Sequence, residues 1–197
     1  MVFASTSEID RMLALIDLRD PMGVRDHCIL ELARHTGLRV GELVGLDVSD
    51  VVSGGQGGTP LCVRTELYVR PAIAKGGFGR LIPLNAKARS ILARQLDFQR
   101  RRGFSIAPSA PLFTSKAHRR LTTRAVQYVF ADLRERAGLA APVTPHSARH
   151  LFGTCLAQAG SLPVVQAVMG HRRLSSTQVY MHPSRAELAA AVERLVQ

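Results

Sequence analysis

The segment from Pro145 to Ala159 carries the densest group of side chains that could take part in chemistry. We predict a helix here, because proline is favoured at a first helical position. At about 100° per residue, His146, Arg149 and His150 fall on one face within the first turns. The free amides and the dipole of a helix N-terminus favour negative charge, as does a guanidinium. The pattern therefore predicts an anion site, although the solvent-exposed side of an amphipathic helix would show the same residues.

Further reactive side chains lie elsewhere in the chain. Arg39 follows a predicted helix break, and Glu42 stands one turn later, where it can orient the guanidinium. Lys75 lies beside a glycine-rich turn, from which an ammonium group can reach into a groove. His171 begins a short segment, and Tyr180 follows nine residues later.

Metal and disulfide chemistry are not expected. His146 and His150 are spaced as zinc ligands, but no glutamate stands between them and Arg149 would repel a cation. The three cysteines are odd in number and far apart, which predicts reduced core thiols in a cytoplasmic protein; they are Cys28, Cys62 and Cys155. No segment has the pattern of a secretory signal or a membrane span, so no membrane partner is expected.

The elements that must position these residues are mostly helical. A capping box from Ser5 to Glu8 begins the first helix, which we expect Pro21 to end. A second helix over about 23–36 ends at Gly37, and residues 61–69 and 81–84 predict a hairpin or a three-stranded sheet. Further helices are predicted at about 86–101, from Thr122 or Thr123 to Gly138, from Pro145 to Gly160, at 163–169, at 175–181 and from Ser184 onward. The predicted fold class is α+β, mainly helical, with a small antiparallel sheet or hairpin.

The charge distribution indicates a polyanionic partner. The chain has 197 residues, with 26 Lys and Arg against 15 Asp and Glu, so its net charge is +11. Residues 1–50 hold 5 basic and 9 acidic side chains, whereas residues 87–136 hold 12 basic and 3 acidic ones. An arginine-rich bias spread over several elements favours nucleic acid over a membrane surface. The candidate DNA contacts are Arg100, Arg101, Arg102, Lys116, Arg119, Arg120 and Arg124.

In their order, these segments resemble the tyrosine recombinase family, also called phage integrases. The stretches that carry the resemblance are TGLRVGEL, AKGGFGRLIPL, TPHSARHLFGTCLAQAG, VMGH and STQVYMHPS, and the resemblance runs from about residue 5 to the C-terminus. It implies a catalytic set of Arg39, Lys75, His146, Arg149, His171 and Tyr180, with Glu42 and His150 in support. Ser147 and Ala148 depart from the family pattern, which often has an acidic residue and a leucine there.

What the resemblance implies is a site-specific DNA recombinase that cleaves and rejoins strands through a 3′-phosphotyrosine intermediate. Double-stranded DNA is the expected partner, with a tetramer on DNA and a monomer or weak oligomer without it. No metal or cofactor is implied, and the expected location is the cytoplasm, in association with the nucleoid. Residues 1–183 would form the catalytic domain and residues 184–197 a C-terminal helix; the N-terminal core-binding domain is expected to be absent.

Several alternatives stay open at this point. A type IB topoisomerase-like enzyme would share the catalytic residues and act as a monomer, and a DNA-binding regulator could use the same scaffold without catalysis. Arg80 is a nearby alternative to Lys75 as the catalytic cation of the hairpin. The C-terminal helix could pack on its own domain or be exchanged with a neighbouring protomer.

Overall fold

The computed structural model describes residues 4–54, 61–159 and 162–170. The helices, in chain order, are α1 (Thr6–Ala14), α2 (Pro21–Thr36), α3 (Val40–Gly45), the 3-10 turn Val48–Asp50, α4 (Ala86–Arg101), α5 (Thr123–Arg136), α6 (Pro145–Ala159) and α7 (Leu162–Met169). The strands are β1 (Val52–Ser53), β2 (Cys62–Val63), β3 (Glu66–Val69) and β4 (Arg80–Pro83). The architecture is mainly helical with small antiparallel strand pairs, so the predicted fold class is observed.

Helix α2 lies at the centre of the helical layer. It packs against α4 on one side and α6 on the other, and Ile29, Leu30, Leu32 and Ala33 are all buried. The buried residues run consecutively from Cys28 to Ala33, so this part of the helix is covered on every face. Because α2 is held on both sides, its C-terminal end provides a fixed platform for the residues that follow it.

The strands form two separate antiparallel pairs, β1 with β2 and β3 with β4. This differs from a single three-stranded sheet, one of the two predicted alternatives, and the reason is that β1 and β2 are only two residues long. In the longer pair Leu67 and Val69 face the core while Tyr68 is exposed, the alternation of a half-buried strand. Val69 pairs with Arg80, so the ten intervening residues form a loop with Lys75 in its middle.

Within the described residues most predicted helix ends are confirmed, with one correction at Pro21; the predicted helices at 175–181 and from Ser184 onward lie outside these residues. Ser5 and Glu8 form the predicted capping box, and Gly37 ends α2 with a φ of 60°. Pro21 does not end the first helix, because α1 already ends at Ala14. Instead Pro21 is the first residue of α2, and the Asp20 side chain accepts a hydrogen bond from the amide of Met22. A proline at a helix start loses no hydrogen bond, which favours this arrangement.

Helix α6 corrects the prediction that all the cysteines are core thiols. Cys28 is buried, but Cys62 and Cys155 are exposed. Cys155 lines an open groove of about 400 Å³ with Leu151 and Phe152, whereas Arg149 and His150 of the polar side of α6 are buried. Arg149 can be buried because its guanidinium lies near a carboxylate and donates to carbonyl oxygens that are far away in sequence, and the pattern of α6 alone does not show these partners.

Among the residues that the structure describes, none of the helices combines the length and the apolar character that spanning a bilayer requires.

The end of α2 provides a test of this packing. Replacing Gly37 with alanine would place a Cβ much closer to Cδ1 of Phe152 than van der Waals contact allows, in a backbone conformation with φ +60°. We expect Gly37→Ala to lower the free energy of unfolding by about 2–5 kcal/mol, since left-handed backbone strain and overpacking add together. Urea denaturation at pH 7 measures this loss.

Gly138 is the matched control, since it has φ +61° but an added Cβ would meet no atom within 4 Å. Gly138→Ala should therefore lower the free energy of unfolding only by the backbone strain, about 1–2 kcal/mol. Equal losses in the two variants would contradict the close packing of Gly37 against α6.

Candidate active site

A buried carboxylate lies at the centre of the site. Glu42 is 1% exposed, and its two oxygens accept hydrogen bonds from two arginine side chains. The Nη1 atom of Arg39 lies 2.9 Å from Oε1, and the backbone amide of Arg39 donates to Oε2 at 2.9 Å. Arg80 binds in a bidentate manner, with Nη1 donating to Oε1 at 2.9 Å and Nη2 to Oε2 at 2.8 Å. Bidentate guanidinium–carboxylate pairs are among the strongest hydrogen-bonded pairs in proteins.

A third guanidinium, that of Arg149, completes the cluster. Its Nη1 lies 4.0 Å from Oε2 of Glu42. Its orientation is set by two backbone carbonyls, because Nη1 donates to the carbonyl oxygen of Gly37 and Nη2 donates to that of Met169 at 2.6 Å. These carbonyls end α2 and α7, so the ends of two helices fix one arginine. We call Arg39, Glu42, Arg80 and Arg149 the guanidinium cluster.

Local structure explains why these side chains meet. Arg39 is the N-cap of α3 and Glu42 is its third residue, so the Glu42 carboxylate reaches back to the Arg39 amide as in a capping box. Gly170 ends α7 with φ +63°, and a Cβ there would lie 3.0 Å from Cδ of Arg80. Gly170 therefore allows the Arg80 side chain to lie flat against the chain after α7.

The electrostatics of the cluster favour a bound anion. Burial tends to raise the pKa of Glu42, but the hydrogen bonds from Arg80 and from the Arg39 amide outweigh it and lower the pKa to about 2. The carboxylate is thus ionised, and three guanidiniums against one carboxylate leave a net charge of +2. Arg39 has 26% of its side chain exposed, against 9% for Arg80 and 5% for Arg149. Arg39 is therefore the guanidinium of the cluster that is most accessible from solvent.

Lys75 lies at the rim of a cavity next to the cluster. The cavity has a volume of about 360 Å³, and Arg80, Gly170 and Gln166 also line it. Lys75 itself is exposed in the loop between β3 and β4. The structure thus gives the two cations of this hairpin different positions, with Arg80 held by Glu42 and Lys75 exposed to solvent.

The predicted histidines differ in their surroundings. His146 is exposed in the first turn of α6. His150 is buried one turn later, and its Nδ1 lies 3.4 Å from Oγ1 of Thr154. His171 and Tyr180 lie outside the residues that the structure describes. Of the predicted set, the structure thus describes Arg39, Glu42, Lys75, His146, Arg149 and His150. It brings Arg39, Glu42 and Arg149 together and places Lys75 at the neighbouring cavity, while membership of the site stays a prediction for the two histidines.

Sequence reasoning missed two features of the site. Arg80 was considered only as a substitute for Lys75, yet it makes the bidentate contact to Glu42. The carbonyl oxygens of Gly37, Val168 and Met169 accept hydrogen bonds from the arginines, and no sequence pattern marks a carbonyl for such a role. The one available signal was Gly170, whose left-handed conformation ends α7 where Arg80 packs.

The predicted DNA contacts are all exposed at the surface: Arg100, Arg101, Arg102, Lys116, Arg119, Arg120 and Arg124. Arg120 has partners within the protein, because its Nη1 donates to the carbonyl oxygens of Val44 and Leu46 and its Nη2 pairs with Asp47. An arginine whose guanidinium already binds two carbonyl oxygens and a carboxylate has less to offer a phosphate, so Arg120 is the weakest member of the predicted set even though it is exposed.

Comparison with known proteins identifies the family. The sequence profile of the phage integrase family matches residues 3–187. The chain belongs to the phage integrase family. Tyrosine recombinase XerC from Salmonella typhi is 36% identical over 189 residues, which cover 94% of this chain and 57% of that protein. The chain thus spans a little over half the length of the curated relatives that it matches. The family membership inferred from the sequence motifs is confirmed.

Solved structures of phage integrase family members have the same fold. The crystal structure of XerA recombinase superimposes with a TM-score of 0.73 at 26% identity, covering 98% of this chain and 65% of that chain. The XerH site-specific recombinase, in a pre-cleavage complex bound to its difH substrate, gives a TM-score of 0.74 at 22% identity, covering 98% of this chain and 53% of that chain. The fold described above is that of the catalytic part of a tyrosine recombinase.

The lowered pKa of Glu42 predicts how stability depends on pH. The folded-state pKa of about 2 lies below the ordinary value of 4.5, so ionised Glu42 stabilises the fold above about pH 5, and this contribution is lost as the pH falls toward 2. At about 1.4 kcal/mol per pKa unit, the contribution is about 3 kcal/mol. The difference in unfolding free energy between wild type and Glu42→Gln should be largest above pH 5 and should shrink toward pH 2, as urea denaturation over pH 3–7 would show.

A suitable control is Glu135→Gln, because Glu135 is exposed on α5. Its difference from wild type should stay small across the same pH range. A constant gap between wild type and Glu42→Gln from pH 3 to pH 7 would contradict the ionised, buried carboxylate.

Proposed function

We propose that the protein is a site-specific DNA strand-exchange enzyme that works through a 3′-phosphotyrosine intermediate. The observation that carries the proposal is the guanidinium cluster, in which a buried Glu42 is surrounded by three arginines with a net charge of +2. A phosphodiester carries one negative charge and gains a second as its phosphorus becomes five-coordinate. A fixed group of cations therefore stabilises the transition state more than the ground state.

The proposed reaction conserves the energy of the phosphodiester. The phenolic oxygen of Tyr180 attacks the phosphorus, a bond forms between them, and the bond from phosphorus to the 5′-oxygen breaks. The phenol proton passes to a base, for which His146 is our candidate, and the 5′-oxygen takes a proton from Lys75. The products are a 3′-phosphotyrosine and a free 5′-hydroxyl, and attack by a 5′-hydroxyl of another strand reverses the step. Each proton transfer contributes about 10²- to 10⁴-fold in rate.

For each residue that the structure describes, its position supports the proposed role. Arg39 and Arg149 would bind the non-bridging oxygens, since both belong to the guanidinium cluster and Arg39 reaches the surface. Lys75 is exposed at the cavity next to the cluster, as a proton donor to the leaving oxygen must be. His146 is exposed on the first turn of α6, three residues before Arg149. His171 as a further phosphate donor and Tyr180 as the nucleophile rest on the sequence motifs.

We further propose that the enzyme acts on double-stranded DNA as a tetramer. Exchange of both strands between two duplexes needs four cleavages, and each chain supplies one candidate nucleophile, Tyr180. Closed symmetric assemblies are the usual way to bring identical sites together. The exchange of residues 184–197 between protomers stays a prediction, because these residues lie outside the described part of the chain. The enzyme would meet double-stranded DNA in the cytoplasm, at the nucleoid.

Covalent capture of DNA tests the proposed function. A library of nicked duplexes with random central sequences is incubated with the full chain, and the protein is then recovered under denaturing conditions. The nick lets the short fragment that carries the new 5′-hydroxyl diffuse away, so the 3′-phosphotyrosine cannot be reversed and persists. We expect recovered DNA to converge on one sequence, with the adduct on Tyr180 by peptide mapping.

Tyr180→Phe is the matched variant, because it keeps the ring and removes only the nucleophilic oxygen. It should bind the selected duplex with unchanged affinity and form no adduct. A wild-type chain that forms no covalent adduct with any member of the library would contradict the proposed chemistry. Relaxation of supercoiled DNA that lacks the selected sequence would favour a topoisomerase instead of a recombinase.

The exposed basic residues predict a steep salt dependence of DNA binding. If the six candidates other than Arg120 contact phosphates, the logarithm of the association constant should fall with the logarithm of salt concentration at a slope of about −5. Replacing Arg100, Arg101 and Arg102 together with glutamine should reduce the slope to about −2.5. Fluorescence anisotropy with the selected duplex between 50 and 300 mM NaCl measures both slopes.

Arg19→Gln is the control, since this arginine is 93% exposed and lies outside the predicted set. Its slope should match that of wild type. An unchanged slope in the triple variant would remove the end of α4 from the DNA-binding surface.

A further inference from the structure

Arg80 holds together three parts of the site. Its guanidinium binds both oxygens of Glu42, at 2.9 and 2.8 Å. Its Nε donates to the carbonyl oxygen of Val168 at 2.9 Å, near the end of α7. Arg80 also begins β4, directly after the loop that carries Lys75. One side chain therefore links the hairpin, the end of α7 and the carboxylate next to Arg39.

The Arg80 guanidinium also determines which charges are left for a phosphate. Glu42 attracts every guanidinium near it, and at close range in a buried site this attraction is several kcal/mol. Arg80 makes a bidentate contact with both carboxylate oxygens. Arg39 makes one side-chain hydrogen bond to Glu42, and Nη1 of Arg149 lies 4.0 Å from Oε2. Without Arg80, the carboxylate would draw Arg39 and Arg149 toward itself and away from a bound anion.

The surroundings of Arg80 suit an arginine and not a lysine. A lysine ammonium is a point charge, so it cannot bind two carboxylate oxygens and a carbonyl in one plane. Gly170 leaves the space in which the guanidinium lies, since a Cβ there would be 3.1 Å from both Nε and Nη1 of Arg80. All three nitrogens of the Arg80 guanidinium donate within the protein, two of them to the Glu42 carboxylate, whereas Arg149 donates to neutral backbone carbonyls. Arg80 is therefore the guanidinium whose charge Glu42 balances most directly.

We propose that Arg80 is a positioning residue, which neutralises Glu42 so that Arg39 and Arg149 keep their charge and orientation for the scissile phosphate. This proposal rests on the proposed function, because it assigns Arg80 a part in the same phosphoryl transfer. It also separates the roles of the two hairpin cations, since Lys75 meets the leaving oxygen and Arg80 never touches the DNA.

The test measures covalent adduct formation with the duplex selected above. At saturating DNA, Arg80→Gln should lower the first-order rate constant by about 30- to 100-fold, somewhat less than loss of a direct transition-state donor. The dissociation constant for the duplex should change by less than about threefold. Adding Glu42→Gln to Arg80→Gln removes the unbalanced carboxylate, so the double variant should form the adduct at least about tenfold faster than Arg80→Gln alone. A purely structural role of Arg80 predicts the opposite, a double variant that is slower than Arg80→Gln alone.

Arg70→Gln is the matched control for loss of an ion pair in the same hairpin. Arg70 lies at the other end of the Lys75 loop, where its Nε binds Asp50 at 2.8 Å and its Nη2 binds the carbonyl oxygen of Gly45 at 2.9 Å. It makes a similar set of contacts but does not touch Glu42. Its adduct rate should stay within about threefold of wild type. Thermal melting of each variant shows whether it is folded, and Arg80→Lys replaces Arg80→Gln if the latter does not fold.

A modified substrate separates Arg80 from the proton donor. A duplex with sulfur in place of the scissile 5′-oxygen has a leaving group that needs no proton, so it should restore the rate of Lys75→Ala but not that of Arg80→Gln. Restoration of Arg80→Gln by sulfur, or a rate within threefold of wild type on the normal duplex, would overturn the proposal while leaving the proposed function intact. A wild-type chain that forms no adduct would overturn both.

Discussion

The site depends on one buried carboxylate that is shared by several guanidiniums. Glu42 has almost no exposure to solvent, and an isolated ion in such a place would be costly. Its hydrogen bonds to Arg39 and Arg80 compensate for the lost hydration. They lower the pKa of Glu42 more than burial raises it, so the pKa falls to about 2. Because the carboxylate needs these partners, it brings arginines together that mutual repulsion would otherwise separate. An excess of positive charge is thereby held at one point of the surface.

The ends of helices α2 and α7 orient Arg149 of the guanidinium cluster. The carbonyl of Gly37 at the end of α2 and that of Met169 at the end of α7 accept hydrogen bonds from Arg149. Carbonyls at a helix C-terminus lack partners within the helix and carry its negative partial charge, so they suit a cation. The central helix α2 therefore both forms the core and orients an arginine. The left-handed conformation of Gly37 ends the central helix, and the carbonyl oxygen of the same residue accepts a hydrogen bond from Arg149.

Local sequence signals were enough to predict much of the fold and part of the site. Helix starts marked by Ser5, Thr122 and Pro145 are observed where they were predicted, because capping and proline geometry are local. The role of Arg80 and the buried state of Arg149 were not predictable in the same way. Both depend on partners 38 and 112 residues away in sequence, and the burial of α6 followed those partners instead of its own apolar pattern.

The most direct test of the central claim is to locate a bound phosphate analogue by crystallography. Crystals of the full chain soaked in tungstate would show the ion by its anomalous scattering. Our account predicts one strong peak within hydrogen-bonding distance of both Arg39 and Arg149, with Arg80 still bound to Glu42. Tungstate bound only elsewhere on the surface, or Arg39 and Arg149 binding separate ions, would contradict the claim that these arginines form a single phosphate site.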